Sequence, residues 1–138
     1  MRKVREIMSA APVCMAPDES VSDAARAMKQ YGVGTVLLLT DGRLSGLVTE
    51  RDITVRVLAE NRDPRTTRIG DICSSELVVL DPDDDLARAA RLVRDRAVRR
   101  IPVLLDGTPV GVVSVGDLAL EKDAASVLSG MSSAPPNS

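Results

Sequence analysis

At 138 residues and 14.7 kDa the chain has about the length of one domain. Its 44% hydrophobic and 28% charged residues suit a folded globular protein and exclude global disorder. Eighteen Lys plus Arg against twenty Asp plus Glu leave a net charge of −2, so no global positive field recruits nucleic acid. With no His, Trp or Phe, and Tyr31 as the single aromatic, histidine bases, histidine metal sites and most base-stacking platforms are gone.

The start Met1-Arg2-Lys3 runs into Glu6 and Ser9 rather than an apolar stretch, which does not match a signal peptide. The longest aliphatic run, Val36 to Leu39, is far too short to span a membrane. A soluble, cytoplasmic protein with no membrane association is expected. Cys14 and Cys73 are too few for a disulfide scaffold or a four-thiolate zinc site. They read as two reduced, half-buried thiols, with one disulfide or a redox-sensing thiol as the alternative. No metal site is expected.

In chain order, Val13 to Met15 reads as a short strand ending at a turn rich in Pro and Asp. Ser20 caps a following helix, with Asp23 three residues on, and Val21, Ala24, Ala25 and Met28 form its apolar stripe. Val36 to Leu39 is a strand buried on both faces, Asp41-Gly42 a hairpin turn, and Ser45 to Val48 the return strand, entering a helix near Glu50. Asn61 to Arg68 links this half to the next. The same order then recurs: strand Leu77 to Leu80, a cap at Asp84 or Asp85, and the stripe Leu86, Ala89, Ala90 and Val93. The strand Ile101 to Leu105, the turn Asp106-Gly107, the strand Val110 to Val113 and a helix near Val115 complete it. From Ser129 the chain becomes Ser, Ala, Pro and Asn, and a disordered tail is predicted.

The recurrence is a sequence repeat at an offset of about 65 residues, with about 15 identities over roughly the first 50 positions. Pro17-Asp18 falls on Pro82-Asp83, Ala24-Ala25-Arg26 on Ala89-Ala90-Arg91, and Gly46, Val48 and Asp52 on Gly111, Val113 and Asp117. Each half closes on a Gly-aliphatic-aliphatic-Thr/Ser-x-x-Asp signature: Gly46-Leu47-Val48-Thr49-Glu50-Arg51-Asp52 and Gly111-Val112-Val113-Ser114-Val115-Gly116-Asp117.

This pattern resembles the CBS domain, which occurs in tandem pairs called Bateman modules. Val98-Arg99-Arg100-Ile101-Pro102-Val103 matches the family's second-strand segment, and Arg5-Glu6-Ile7-Met8 its opening helix. The likeness runs from residue 1 to about 125 and is greatest to free-standing bacterial pairs of the hypoxic-response-protein type. It implies an α+β fold of two β-α-β-β-α repeats related by pseudo-two-fold symmetry. The boundaries expected are 1–60 for repeat 1, 61–68 for the linker, 69–128 for repeat 2 and 129–138 for the tail.

Thr49 with Asp52, and Ser114 with Asp117, stand three apart at a strand-to-helix junction. One reading is a capping box, worth about 1 kcal/mol per helix. The other is a ligand site: free amides and a hydroxyl suit phosphate, and a first-turn carboxylate can accept both hydroxyls of a ribose. The resemblance implies adenosyl ligands at these positions, AMP, ADP, ATP or S-adenosylmethionine, bound in the cleft between the repeats. It also implies that Arg99 and Arg100 reach phosphate, which suits the guanidinium's paired donors. The plain alternative for the two arginines is a solvated basic pair before a strand. The first repeat has Gly34 and Thr35 instead, so its grip on phosphate should be weaker. Two features depart from the pattern. Gly116 sits in a helical first turn, where it costs up to about 1 kcal/mol relative to Ala. With no Trp or Phe, adenine would have to lie against aliphatic groups from Val13, Val78 and their neighbours and hydrogen-bond to backbone.

The functional reading is therefore a regulatory, ligand-sensing module that acts in trans on a client protein, requires no cofactor and is not an enzyme. A non-nucleotide-binding stress- or redox-responsive interaction protein of the same fold, switched at Cys14 or Cys73, is the alternative. A homodimer is expected. Ile53 and Val57 share one helix face while Val55 and Leu58 lie opposite, and Leu118 with Ala125 against Leu120 with Val127 repeats the pattern.

Overall fold

The computed structural model describes residues 2–121. It divides into two compact units: Pro12–Leu77, and the stretch ending at Ala11 together with the chain from Val78 onward. The described elements are α1 (Val21–Tyr31), α2 (Glu50–Ile53), α3 (Leu86–Arg96) and α4 (Val115–Ala119), with strands β1 (Ser9–Ala10), β2 (Cys14–Met15), β3 (Thr35–Thr40), β4 (Arg43–Thr49), β5 (Arg100–Leu105) and β6 (Thr108–Ser114). The mixed α+β repeat read from the sequence is present twice. The predicted tail, Ala125 and Val127 lie outside the described residues.

In the unit Pro12–Leu77, β2 pairs parallel with β3, and β3 antiparallel with β4. The β3–β4 turn works because Asp41 (φ 51°) and Gly42 (φ 78°) both adopt the left-handed conformation that a tight hairpin demands. Asp106 and Gly107 repeat it at φ 51° and 81° in the other unit. The core gathers Val21, Ala24 and Met28 of α1 with Val36, Leu38 and Val48 of the sheet, then Val57, Ile69 and Ile72. Ser20 caps α1 by accepting from the Asp23 amide at 3.0 Å, and Gly32 ends it at φ 65°. Ala25, expected in the apolar stripe, is exposed, while its counterpart Ala90 is buried, so α1 packs on a narrower strip than α3.

The other unit repeats the helix and hairpin but not the strand order. β6 is its central strand, flanked by β5 and β1, both antiparallel to it. Asp85 caps α3 by accepting from the Arg88 amide at 2.8 Å, and Leu86, Ala89, Ala90 and Val93 are all buried against Ile101, Val103, Val113 and Leu118. The strand expected at Leu77 to Leu80 reduces to an isolated parallel bridge, Leu80 with Val103. The cause is a proline. In the first repeat the Leu37 amide donates to the Val13 carbonyl at 2.9 Å, but the corresponding residue, Pro102, has no amide hydrogen to give to Val78.

The packing units do not coincide with the sequence repeat. Val4, in the 3₁₀ turn Val4–Glu6, buries itself with Leu80, Leu86 and Val113 of the second repeat. Its counterpart Ile69, in the turn Ile69–Asp71, is buried with Val21 and Val36 of the first. The lead-in of each repeat thus completes the core of the other. β1 carries this to the sheet: Ser9 pairs with Val112 and Ala10 with Gly111. The matching bridge joins Leu47 and Ser74. The segment Asn61 to Arg68 is held on the start of α1, with the Val21 amide donating to Thr67 O and the Ser22 amide to Pro64 O, both at 2.9 Å.

Candidate functional site

The end of β4 and the start of α2 place the first signature. Thr49 is fully buried; its Oγ1 accepts from the Asp52 amide at 3.2 Å, and its own amide donates to Asp52 Oδ2 at 2.9 Å. Asp52, only 4% exposed, also has Oδ1 3.8 Å from Arg56 Nε. Thr35 is the cross-strand partner of Thr49, and the Gly34 carbonyl accepts from the Glu50 amide at 3.0 Å. The four first-repeat positions singled out in the sequence therefore meet at one corner of the unit.

Beyond Ile53 the helix widens. Thr54–Leu58 winds as a π-helix, the Ala59 amide donating to Thr54 O at 3.0 Å. Val57 is buried, whereas Val55 (45%) and Leu58 (60%) are exposed, the two-faced pattern expected. The widening itself was not legible, since no residue type marks a π turn.

The second signature repeats the geometry in a more open setting. Ser114 Oγ accepts from the Asp117 amide at 3.1 Å and the Ser114 amide donates to Asp117 Oδ2 at 3.0 Å, with both side chains half-buried. These are the only bonds to Asp117 among the described residues. Arg100 is the cross-strand partner of Ser114, and the Arg99 carbonyl accepts from the Val115 amide at 3.0 Å. Arg99, Arg100, Ser114 and Asp117 thus come together at the mouth of α4. Gly116 has open space where a side chain would stand, its nearest neighbour being Ser114 Oγ at 3.6 Å from an ideal Cβ. Val13 and Val78 are half-buried, each against the core of its own unit.

The capping boxes read from the sequence exist at both signatures, and a hydroxyl that accepts one amide still carries its own hydrogen. The signature glycines have a role that the sequence reading missed. A Cβ on Gly111 would meet the Ser9 carbonyl oxygen at 3.0 Å and one on Gly46 the Ser74 carbonyl oxygen at 3.3 Å, so both glycines make room for the backbone of a lead-in segment.

Both cysteines are free. Cys14 is exposed rather than half-buried, because β2 is an edge strand, while Cys73 is half-buried beside Gly46. Partial burial of each sulfur pushes its thiol pKa up. Among the described residues no group of three or more Cys, Asp or Glu could hold a metal ion, and no helix is long and apolar enough to cross a membrane.

The CBS-domain family model matches residues 4–59 and 69–123. The CBS domain-containing protein YhcV of Bacillus subtilis is 34% identical over 122 residues, spanning 88% of this chain and 86% of that one. Hypoxic response protein 1 of Mycobacterium tuberculosis is 30% identical over 120 residues, 86% of this chain and 84% of that one. Among solved structures, the CBS domain pair of protein MJ0100 in complex with 5′-methylthioadenosine and S-adenosyl-L-methionine superposes with a TM-score of 0.77 at 22% identity, covering 87% of this chain and 94% of that chain.

Proposed function

Because this chain belongs to the CBS-domain family, carrying two repeats in tandem, we propose that it is a cytoplasmic regulatory sensor. It binds an adenosyl ligand of the AMP, ADP, ATP or S-adenosylmethionine class at its signature residues and reports the bound state to a partner protein. It performs no chemistry on the ligand. The observation that carries this reading is the meeting of Arg99, Arg100, Ser114 and Asp117 at one strand-to-helix corner. The arginines supply paired donors for phosphate, Ser114 a hydroxyl, and Asp117 a carboxylate oxygen for sugar hydroxyls. Val78 adds an apolar surface for adenine, and Pro102 leaves the Val78 carbonyl without the amide that Leu37 gives Val13. That carbonyl suits the adenine amino group. The MJ0100 complex with two adenosyl compounds supports the ligand class.

The second repeat should therefore hold ligand more tightly than the first, where Gly34 and Thr35 replace the arginines. Calorimetry and thermal shift with AMP, ADP, ATP, NADH and S-adenosylmethionine test this. A true ligand at 100 times its Kd adds about 2.7 kcal/mol of stability. Asp117→Ala should abolish the tight site and Asp52→Ala should spare it. If Asp52→Ala alone removes tight binding, the halves are reversed. If no adenosyl compound binds, the alternative of an interaction protein without a nucleotide takes its place. The raised thiol pKa values weigh against a redox version of that alternative, because reactive cysteines have lowered ones.

The assembly that goes with this reading is a homodimer. Val55, Leu58 and Leu120, the last 86% exposed, are the apolar groups that a two-fold interface would cover.

A further inference from the structure

The two signatures differ in what already occupies their carboxylates. Asp52 is almost fully buried, with Oδ2 on the Thr49 amide and Oδ1 facing the Arg56 guanidinium at 3.8 Å. Arg56 is half-exposed, but it is tethered. Its Nη1 donates to the Ile72 carbonyl at 2.8 Å, and Ile72 is buried in the unit's core, so the guanidinium is fixed at one end and lies over Asp52 at the other. Among the described residues the second repeat has no equivalent. At the offset of about 65 residues, Arg56 corresponds to Glu121. Glu121 pairs with Arg2, and among the described residues Asp117 bonds only to Ser114.

Once the cap has taken one carboxylate oxygen, a ribose diol must be held by the other, which accepts from its hydroxyls. At Asp117 one oxygen has no bond from any described residue. At Asp52 one oxygen serves the cap and the other faces a tethered cation, which a neutral diol must displace from a buried charge. We infer that Arg56 is an internal competitor that closes the first signature, so that the chain offers one adenosyl site instead of two. This rests on the adenosyl reading above and explains the inequality of the halves through a residue outside the signature. Arg56 neither touches the ligand nor serves the second site. It regulates access to Asp52.

The test uses the full chain and two named probes, AMP and S-adenosylmethionine, titrated by calorimetry. Wild type should bind one equivalent of the accepted probe, and Arg56→Gln two. Glutamine ends near the position of Arg56 Nε, too short for Ile72 O, and the positive charge over Asp52 is gone. In an Asp117→Ala background, which isolates the first repeat, Arg56→Gln should tighten the remaining site about tenfold, as expected for releasing one ion pair to a buried carboxylate. Arg56→Lys, which keeps the charge, should stay at one equivalent. Thermal melts of each variant confirm that the fold is kept.

One equivalent for wild type and for Arg56→Gln alike, with no tightening in the Asp117→Ala background, overturns the competitor role and leaves the adenosyl reading standing. Weaker binding in Arg56→Gln also overturns it, by making Arg56 a ligand contact. Silence of every variant toward both probes defeats the adenosyl reading and this inference together.

Discussion

A side chain on Gly111 would place its Cβ 3.0 Å from the Ser9 carbonyl oxygen. The same Cβ would stand 2.5 Å from Met8 Sδ, and one on Gly46 would stand 2.8 Å from Cys73 Sγ and 3.3 Å from the Ser74 carbonyl. Methionine can swing aside, but a paired backbone cannot. Gly111→Ala and Gly46→Ala should each destabilise the protein by about 1–3 kcal/mol, the usual cost of overpacking. Gly116→Ala should instead be neutral or stabilising by up to about 1 kcal/mol, since it adds helix propensity in open space. Urea unfolding midpoints of the three variants check the order.

The two capping boxes should differ in cost. Thr49→Ala removes a hydroxyl from a fully buried cap and leaves the Asp52 amide without its acceptor, whereas Ser114→Ala does so where water can substitute. The expected losses are about 1–2 kcal/mol for Thr49→Ala and about half that for Ser114→Ala. Equal losses in chemical denaturation would mean that burial does not set the cost.

Acid should weaken the fold through a few named pairs. The Arg5 guanidinium, hydrogen-bonded to Asp83 at 2.7 Å, holds that carboxyl below its ordinary range; Arg65 does the same to Asp63, and Arg94 to Asp95. A carboxyl depressed in the native state protonates first in the unfolded chain. Its contribution is therefore present above the ordinary aspartate value of about 3.9 and is lost as pH falls through the lower native value. Asp83→Asn should flatten the fall in urea midpoint between about pH 5 and pH 3, and added salt should mute the difference because the pair is exposed.

Neither thiol should behave as a reactive cysteine. Burial raises both pKa values, so at neutral pH Cys14 and Cys73 should alkylate with iodoacetamide more slowly than the same thiols in urea-unfolded chain. Mass spectrometry of timed quenches gives both rates. A native thiol faster than its unfolded counterpart would reopen the redox alternative.

The apolar face of Val55 and Leu58 should be covered in solution. Light scattering during gel filtration should give about 29 kDa, twice the 14.7 kDa chain, as a closed two-fold pair requires. Val55→Glu with Leu120→Glu should yield a folded monomer. A wild-type mass of one chain at all concentrations would defeat the dimer.

Both signatures, both hairpins and the caps at Ser20 and Asp85 were legible because each rests on local chemistry: a hydroxyl or carboxylate before a helix, or Asp-Gly in a tight turn. The strand at Leu77 to Leu80 failed because its partner strand carries Pro102, a signal present in the sequence but meaningful only once the pairing is known. β1 was missed because Ser9-Ala10 has neither length nor alternation. The hold of Arg56 on Asp52 was also missed. Its i,i+4 spacing was visible, but the anchor at Ile72 lies 16 residues away and depends on the fold.

The crossing of the lead-in segments has a consequence for the order in which the chain acquires structure. The unit Pro12–Leu77 is contiguous, so everything it needs, including Ile69 and Ile72, is available as soon as Leu77 has been synthesised. Val4 faces the opposite situation. Its partners Leu80, Leu86 and Val113 are synthesised only after the whole of the unit Pro12–Leu77, so Val4 must wait for its core until that unit is complete. Until then the N-terminal strand-to-be is an unpaired edge, and a second nascent chain could supply the β6 it lacks.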